Sequence, residues 1–220
     1  MFVVFTTIII KHMKKIMLFL LLLCVSTFTF AQSNWEVWTT FNASGNLSDK
    51  FKLILEGEDR YSHKTNDIKY FHYDMGLVYK LSSKSSAGLF YREIYGTKDH
   101  ISIRLPQPHV DFFYKKPIGF KLRTRLEYQM FHSTNIDLEN QFRLRIRPAW
   151  QFGFWKNYNP YIMSEIFLSQ KKTLTRNRFT TGITMKFGKI VIQPNYTLEH
   201  NNKDIWTNRN VFWVNTKFKF

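Results

Sequence analysis

Cysteine is almost missing from this 220-residue chain: the one present, Cys24, lies in an apolar stretch near the N-terminus. No disulfide framework can therefore staple the remainder, and no thiol chemistry is available to it. A lipoprotein site would want a small residue just before that cysteine, and Leu23 stands there. Helical periodicity is nearly absent, and so is any apolar run of the roughly 20 residues that a membrane-crossing helix needs. Acidic residues are scarce, 16 against 32 Lys and Arg. Such a basic balance, with 18% aromatics, would suit nucleic acid, because cations neutralise phosphates and rings stack on bases. The charges, however, are spread along the chain on one parity instead of forming a patch, and no zinc-finger, helix-turn-helix or RNP-type pattern occurs. No nucleic-acid partner is expected.

What is present begins with an export signal. Met13-Lys14-Lys15 forms a positive n-region, Ile16 to Val25 an apolar core, and Thr29-Phe30-Ala31 a processing site, so cleavage after Ala31 is expected. Residues 1–12 sit awkwardly upstream and read as an over-called start, with Met13 the initiator; were they translated, residues 1–31 would be long enough to anchor the chain instead. The expected organisation is a signal peptide over residues 1–31 and one domain over residues 32–220. That domain has 189 residues, with 29 basic side chains against 16 acids and a net charge of +13.

The domain alternates. Segments of roughly 10 to 14 residues, separated by polar or Gly/Pro turns, carry apolar residues on one parity and polar ones on the other, the period-2 signature of strands. Phe120 to Met130 sets Phe120, Leu122, Leu126, Tyr128 and Met130 against Lys121, Arg123, Arg125, Glu127 and Gln129. Phe51 to Arg60, Tyr70 to Leu81, Ala87 to Tyr95, His109 to Lys115, Gln141 to Phe152, Tyr161 to Ser169, Arg176 to Phe187 and Ile190 to His200 repeat it. With Trp35 to Phe41 and the terminal segment, eleven strands are counted.

A soluble sandwich also alternates, but its exposed face rarely carries Arg-x-Arg-x-Arg or large aromatics at strand ends. A membrane barrel needs an apolar exterior, a polar interior and aromatic girdles at both rims. Trp35, Trp38, Tyr70, Tyr79, Tyr91, Tyr95, Tyr128, Trp150, Trp155, Tyr158 and Trp206 fall near strand ends, where girdles belong. A closed barrel is also the β architecture that leaves no unpaired edge in lipid. The expected fold is all-β: a transmembrane antiparallel up-and-down β-barrel of about 10 to 12 strands. Since barrels of this kind usually have an even strand number, either the first segment falls short of a crossing or the stretch from Gly96 to Pro108 hides a twelfth strand. Pro148 and Pro194 fall within strands on the apolar parity, where each removes a ladder bond.

The last residues, NVFWVNTKFKF, place Phe212, Val214, Thr216, Phe218 and Phe220 on one face. This resembles the closing-strand signal of Gram-negative outer-membrane barrels, which ends in an aromatic residue and is read by the assembly machinery. Phe212, Val214, Phe218 and Phe220 match it, and Thr216 is a weaker member. The wider chain resembles the domain of unknown function 2490 family, uncharacterised Gram-negative outer-membrane proteins. Trp38-Thr39-Thr40, LILEGEDRY (Leu53 to Tyr61), GLVYKL (Gly76 to Leu81), RLRIR (Arg143 to Arg147) and NRFTTGITMKF (Asn177 to Phe187) carry the likeness. It implies a barrel in the bacterial outer membrane, with the membrane lipids and the barrel-assembly machinery as partners, and it implies no activity.

The inward parity defines the candidate site: Glu56, Glu58, Arg60, Asp74, Arg92, Arg123, Arg125, Glu127, Arg143, Arg145, Arg147, Glu165, Arg176, Arg178 and Glu199. A barrel of this size has a narrow interior that side chains can largely fill, and opposite charges on adjacent strands would pair across it. The arginine excess also fits a narrow, porin-like, anion-preferring pore constricted at Glu165 and the Arg143 to Arg147 ladder. A third reading is a non-conducting structural barrel presenting loops at Ser62 to Lys69, Gly96 to Pro108, His132 to Asn140, Gln170 to Thr175 and Asn201 to Asn208. A fourth is a lipid acyl hydrolase using His132 and Ser133, although adjacent strand residues point to opposite faces and cannot easily share a proton. His63, His72, His100, His109 and His200 show no metal-ligand spacing. No catalytic residue, metal or cofactor is expected.

Overall fold

The computed structural model describes residues 35–63, 67–98, 101–131, 139–153, 155–170, 174–202 and 206–220. The expected signal peptide, residues 1–31 with the over-called 1–12, lies outside the described residues, as do His132 and Ser133.

Eleven strands follow one another: β1 (Trp35–Asn46), β2 (Phe51–Ser62), β3 (Asp67–Lys80), β4 (Ser85–Lys98), β5 (Ile101–Lys115), β6 (Phe120–Gln129), β7 (Gln141–Gln151), β8 (Tyr158–Ser169), β9 (Arg176–Phe187), β10 (Ile190–Asn202) and β11 (Trp206–Lys219). Each pairs antiparallel with its neighbours in sequence, and β1 pairs with β11 to close the barrel. The even-number expectation fails, and the reason is geometric. In an up-and-down meander of odd count, the first and last strands run the same way, so the closing pair must be parallel. It is, from Trp35↔Asn210 to Ser44↔Lys219. The first segment is a full crossing, and the described residues between Gly96 and Pro108 are neither a loop nor a twelfth strand: they belong to β4 and β5, paired from Ser85↔Tyr114 to Lys98↔Ile101.

One end of the barrel carries short turns whose chemistry is local. Ser48 Oγ accepts from the backbone N–H groups of Lys50 and Phe51, and Ser82 Oγ from those of Lys84 and Ser85. Such side-chain capping of turn amides is why serine recurs there. Gly119 closes the β5–β6 turn at φ +87°, a backbone conformation that favours glycine, and any Cβ there would meet the Gln151 carbonyl oxygen at 2.0 Å. This is called the turn end below, and the opposite one the loop end.

The two prolines open the ladder where they fall. β7–β8 pairing passes from Ile146↔Ile166 to Ala149↔Met163, skipping Arg147 and Pro148, and β9–β10 pairing passes from Ile192↔Met185 to Asn195↔Gly182, skipping Gln193 and Pro194. Both remain paired on their other side, at Leu122↔Pro148 and Pro194↔Val214.

Burial is inverted relative to a protein folded for water. Among the described residues, 21 polar or charged residues are buried against nine hydrophobic ones, while 29 large hydrophobic residues are exposed. The exposed set runs along the outward parity of every strand, as in Phe71, Tyr73, Met75, Leu77 and Tyr79 of β3. Val214, Phe218 and Phe220 of the terminal segment lie on this outer face, and the Phe220 ring covers Gly45 across the seam, where a Cβ would sit 2.3 Å from it. The outer face is not wholly apolar: Glu93 is fully covered there, accepting from Arg104 Nε at 2.6 Å and from the Tyr91 hydroxyl. Two residues assigned to the girdles instead turn inward. Trp38 is fully buried in the lumen, and the Arg60 guanidinium lies 3.9 Å from the ring centroids of both Trp38 and Tyr70. A guanidinium that must leave water gains from flat aromatic faces, so the inner wall is as good a place for these rings as the rim.

Candidate functional site in the barrel lumen

Inward-facing side chains from every strand meet in the lumen, because strand residues of one parity share a face. A charge there must be paired, since stripping water from it costs several kcal/mol. The fifteen residues picked out by parity are all in ion pairs or charge-assisted hydrogen bonds with one another or with close neighbours. Glu56 and Asp74 both accept from Arg92, at 3.1 and 2.7 Å, and Glu56 also faces His72 Nε2 at 3.2 Å. Glu58 holds Arg60 at 2.7 Å and accepts from the Thr40 hydroxyl at 2.9 Å. Arg143 donates to Glu127.

The densest knot lies across β7, β8, β9 and β10. Glu165, fully buried, accepts from Arg145 Nε at 2.6 Å and from Arg178 at 3.0 Å, with Arg147 at 3.6 Å. Arg178 in turn donates to Glu199 at 2.5 Å, and Arg176 lies 3.7 Å from the same carboxylate. Phe167 occupies the middle of this knot, 1% exposed, with the guanidiniums of Arg143, Arg145, Arg176 and Arg178 each about 5 Å from its ring. Register explains the gathering: Glu165 pairs with Arg178 across β8–β9, and Arg178 with Glu199 across β9–β10. Directly opposed side chains of opposite sign are the favourable cross-strand arrangement.

Parity reasoning passed over several members. Asp111, fully buried on β5, accepts from Arg125 Nε at 2.8 Å and from Arg123, and so ties together two arginines that would otherwise repel across one strand. The alternation His109, Asp111, Phe113 could have revealed it. Glu36 of β1 pairs with Arg209 of β11 at 2.7 Å, a contact that depends on the closing seam. The histidines split: His72 and His109 are buried in the lumen, His109 stacked on Phe90 with centroids 5.0 Å apart, while His63 stacks on Trp35. Among the described residues no group of three or more His, Cys, Asp or Glu could hold a metal ion.

The turn end of the lumen differs. A cavity of about 610 Å³ opens there, its wall reaching from the turn residues Ser48 to Lys50 and Ser82 to Lys84 down to Phe113, Met163 and Trp213. Trp213 is anchored by donating its Nε1–H to Thr40 Oγ1 at 2.7 Å. The lumen therefore has two parts, a packed ion-pair network and an open vestibule.

A closed, inside-out β-barrel with a charge-packed lumen is the class that fold and site define. Within that class, the family profile described as "Protein of unknown function (DUF2490)" matches residues 35–210, from the start of β1 into β11, and the chain belongs to that family. No curated protein matches it.

Proposed function

We propose that this protein is an integral outer-membrane β-barrel of a Gram-negative bacterium, sealed across its lumen by paired charges, and that it works as a non-conducting barrel. The observation that carries the membrane reading is the inversion of burial. Large apolar side chains line the exterior of every strand while Glu127, Glu165, Asp111 and Arg125 are at most 1% exposed inside, which suits lipid outside and no bulk water in the packed part of the lumen. Strands of 10 to 15 residues meet or exceed the roughly 9–11 needed to cross a bilayer at a tilt. The export signal and the closing aromatic strand read from the sequence support the same location, with the assembly machinery and membrane lipids as partners.

Conductance in a planar bilayer tests the seal. Refolded, heat-modifiable protein should insert and stay silent. Discrete current steps with anion preference, weakened by Arg145→Ala, would replace the seal with the second reading, a narrow anion-preferring pore. The arginine excess around Glu165 is the observation that favours that alternative. No catalysis is assigned.

A further inference from the structure

We infer that the turn-end vestibule is a binding site for a small soluble anion carrying two or more negative charges, of phosphate or carboxylate chemistry. Seven lysines and two arginines line it, against one carboxylate, Asp49. The acids that neutralise the lumen are spent on its packed part: Asp111 is held by Arg123 and Arg125, and Glu165 by Arg145 and Arg178. Among the described residues no ion pair reaches a vestibule lysine, and Lys121 donates instead to the neutral Gln151 Oε1 at 2.6 Å. Lys52 and Lys217 both project into the cavity, on the strands that flank β1.

Gathering like charges between low-dielectric walls is costly by itself and focuses a positive potential into the mouth. A polyvalent anion relieves that repulsion, and ammonium groups on flexible stems can close around it as point-charge donors. The volume suits a small molecule, within the roughly 300–1,000 Å³ typical of ligand pockets. The barrel closes on itself through all eleven strands, interrupted only by the local ladder gaps at Pro148 and Pro194, each still paired on its other side, so entry is by way of the turns, from water. Asn195 Oδ1 and Asn215 Oδ1, on two of the lining residues, are buried acceptors without a partner, available to hydroxyl groups on the same ligand.

Isothermal titration of sodium pyrophosphate into the detergent-refolded full barrel at low ionic strength tests the site. One saturable event per chain is expected, weakened at least tenfold by Lys52→Gln with Lys217→Gln. Lys189→Gln, which removes one charge from the turn end outside the cavity, should leave it unchanged. Absence of saturable heat, or equal weakening by Lys189→Gln, would overturn the proposal, the latter by reducing it to the general attraction of a basic protein. Displacement of pyrophosphate by phosphatidic acid in the micelle would also overturn it, by assigning the site to a lipid headgroup. If the double variant does not refold, Lys52→Gln and Lys121→Gln are titrated singly, and the proposal falls if neither weakens binding. A conducting barrel that still binds pyrophosphate would sink the sealed-lumen reading and leave this site standing.

Discussion

Trp38 and Trp213 face each other across the single parallel strand pair, ring centroids 5.8 Å apart and planes at 66°. With Val211, and with Met163 against them, they make a small apolar cluster inside a largely charged and polar lumen. The edge-to-face contact adds dispersion and quadrupole attraction where β1 meets β11.

That contact should therefore be a hot point for closure. Trp38→Ala and Trp213→Ala are each expected to cost about 3–5 kcal/mol, as for large buried aromatics. A double-mutant cycle should show coupling of about 0.5–1.5 kcal/mol. Urea unfolding of the detergent-refolded barrel, followed by heat modifiability on gels, measures both. Additive losses would mean that the rings pack independently.

Glu165 faces three arginines, so its removal leaves buried cations without a counter-charge. Glu165→Gln should destabilise by about 3–5 kcal/mol, the usual cost of breaking a buried pair from one side. Replacing Glu165 and Arg145 together by leucine and methionine should cost less than Glu165→Gln alone, because no orphan charge is created at Arg145. Unfolding midpoints of the two variants decide the order.

The outward face offers a direct test of its solvent. Met75 and Leu89 are 55% and 67% exposed. In water, Met75→Arg or Leu89→Arg would be nearly neutral. In a bilayer each should cost up to about 2–4 kcal/mol if it lies near the midplane. Folding equilibria in lipid vesicles measure this, and a neutral result at both positions would remove the membrane reading.

Gly119→Ala should be the costliest change among the turns. It adds strain at a positive φ, of about 1–3 kcal/mol, and sets a methyl group into the Gln151 carbonyl. A change at exposed Ser83, in the β3–β4 turn, should be nearly silent, and unfolding midpoints compare the two.

Much of this protein was legible along the chain, and the reason is the strand period. Side chains alternate faces every residue, so Arg143, Arg145 and Arg147 had to share the face opposite Phe142, Leu144 and Ile146 whatever the tertiary fold. The same rule identified eleven segments and the outward parity of the terminal strand. Pairing between distant strands was not legible, because it is set by closure and register. Only the closed barrel makes the odd count possible through a parallel β1–β11 seam, brings Glu36 to Arg209, and turns Trp38 and Tyr70 inward against Arg60. Nor does any local pattern tell where along the barrel axis each charge falls. Strand stagger gathers most of the acids among the arginines and leaves Lys52 and Lys217 together near the turn end, with Asp49 the one carboxylate lining the cavity. The sequence by itself determined which faces are polar, since that depends on neighbours one and two residues away. The tertiary structure decided which polar groups meet, since that depends on how eleven strands are offset when the sheet closes on itself.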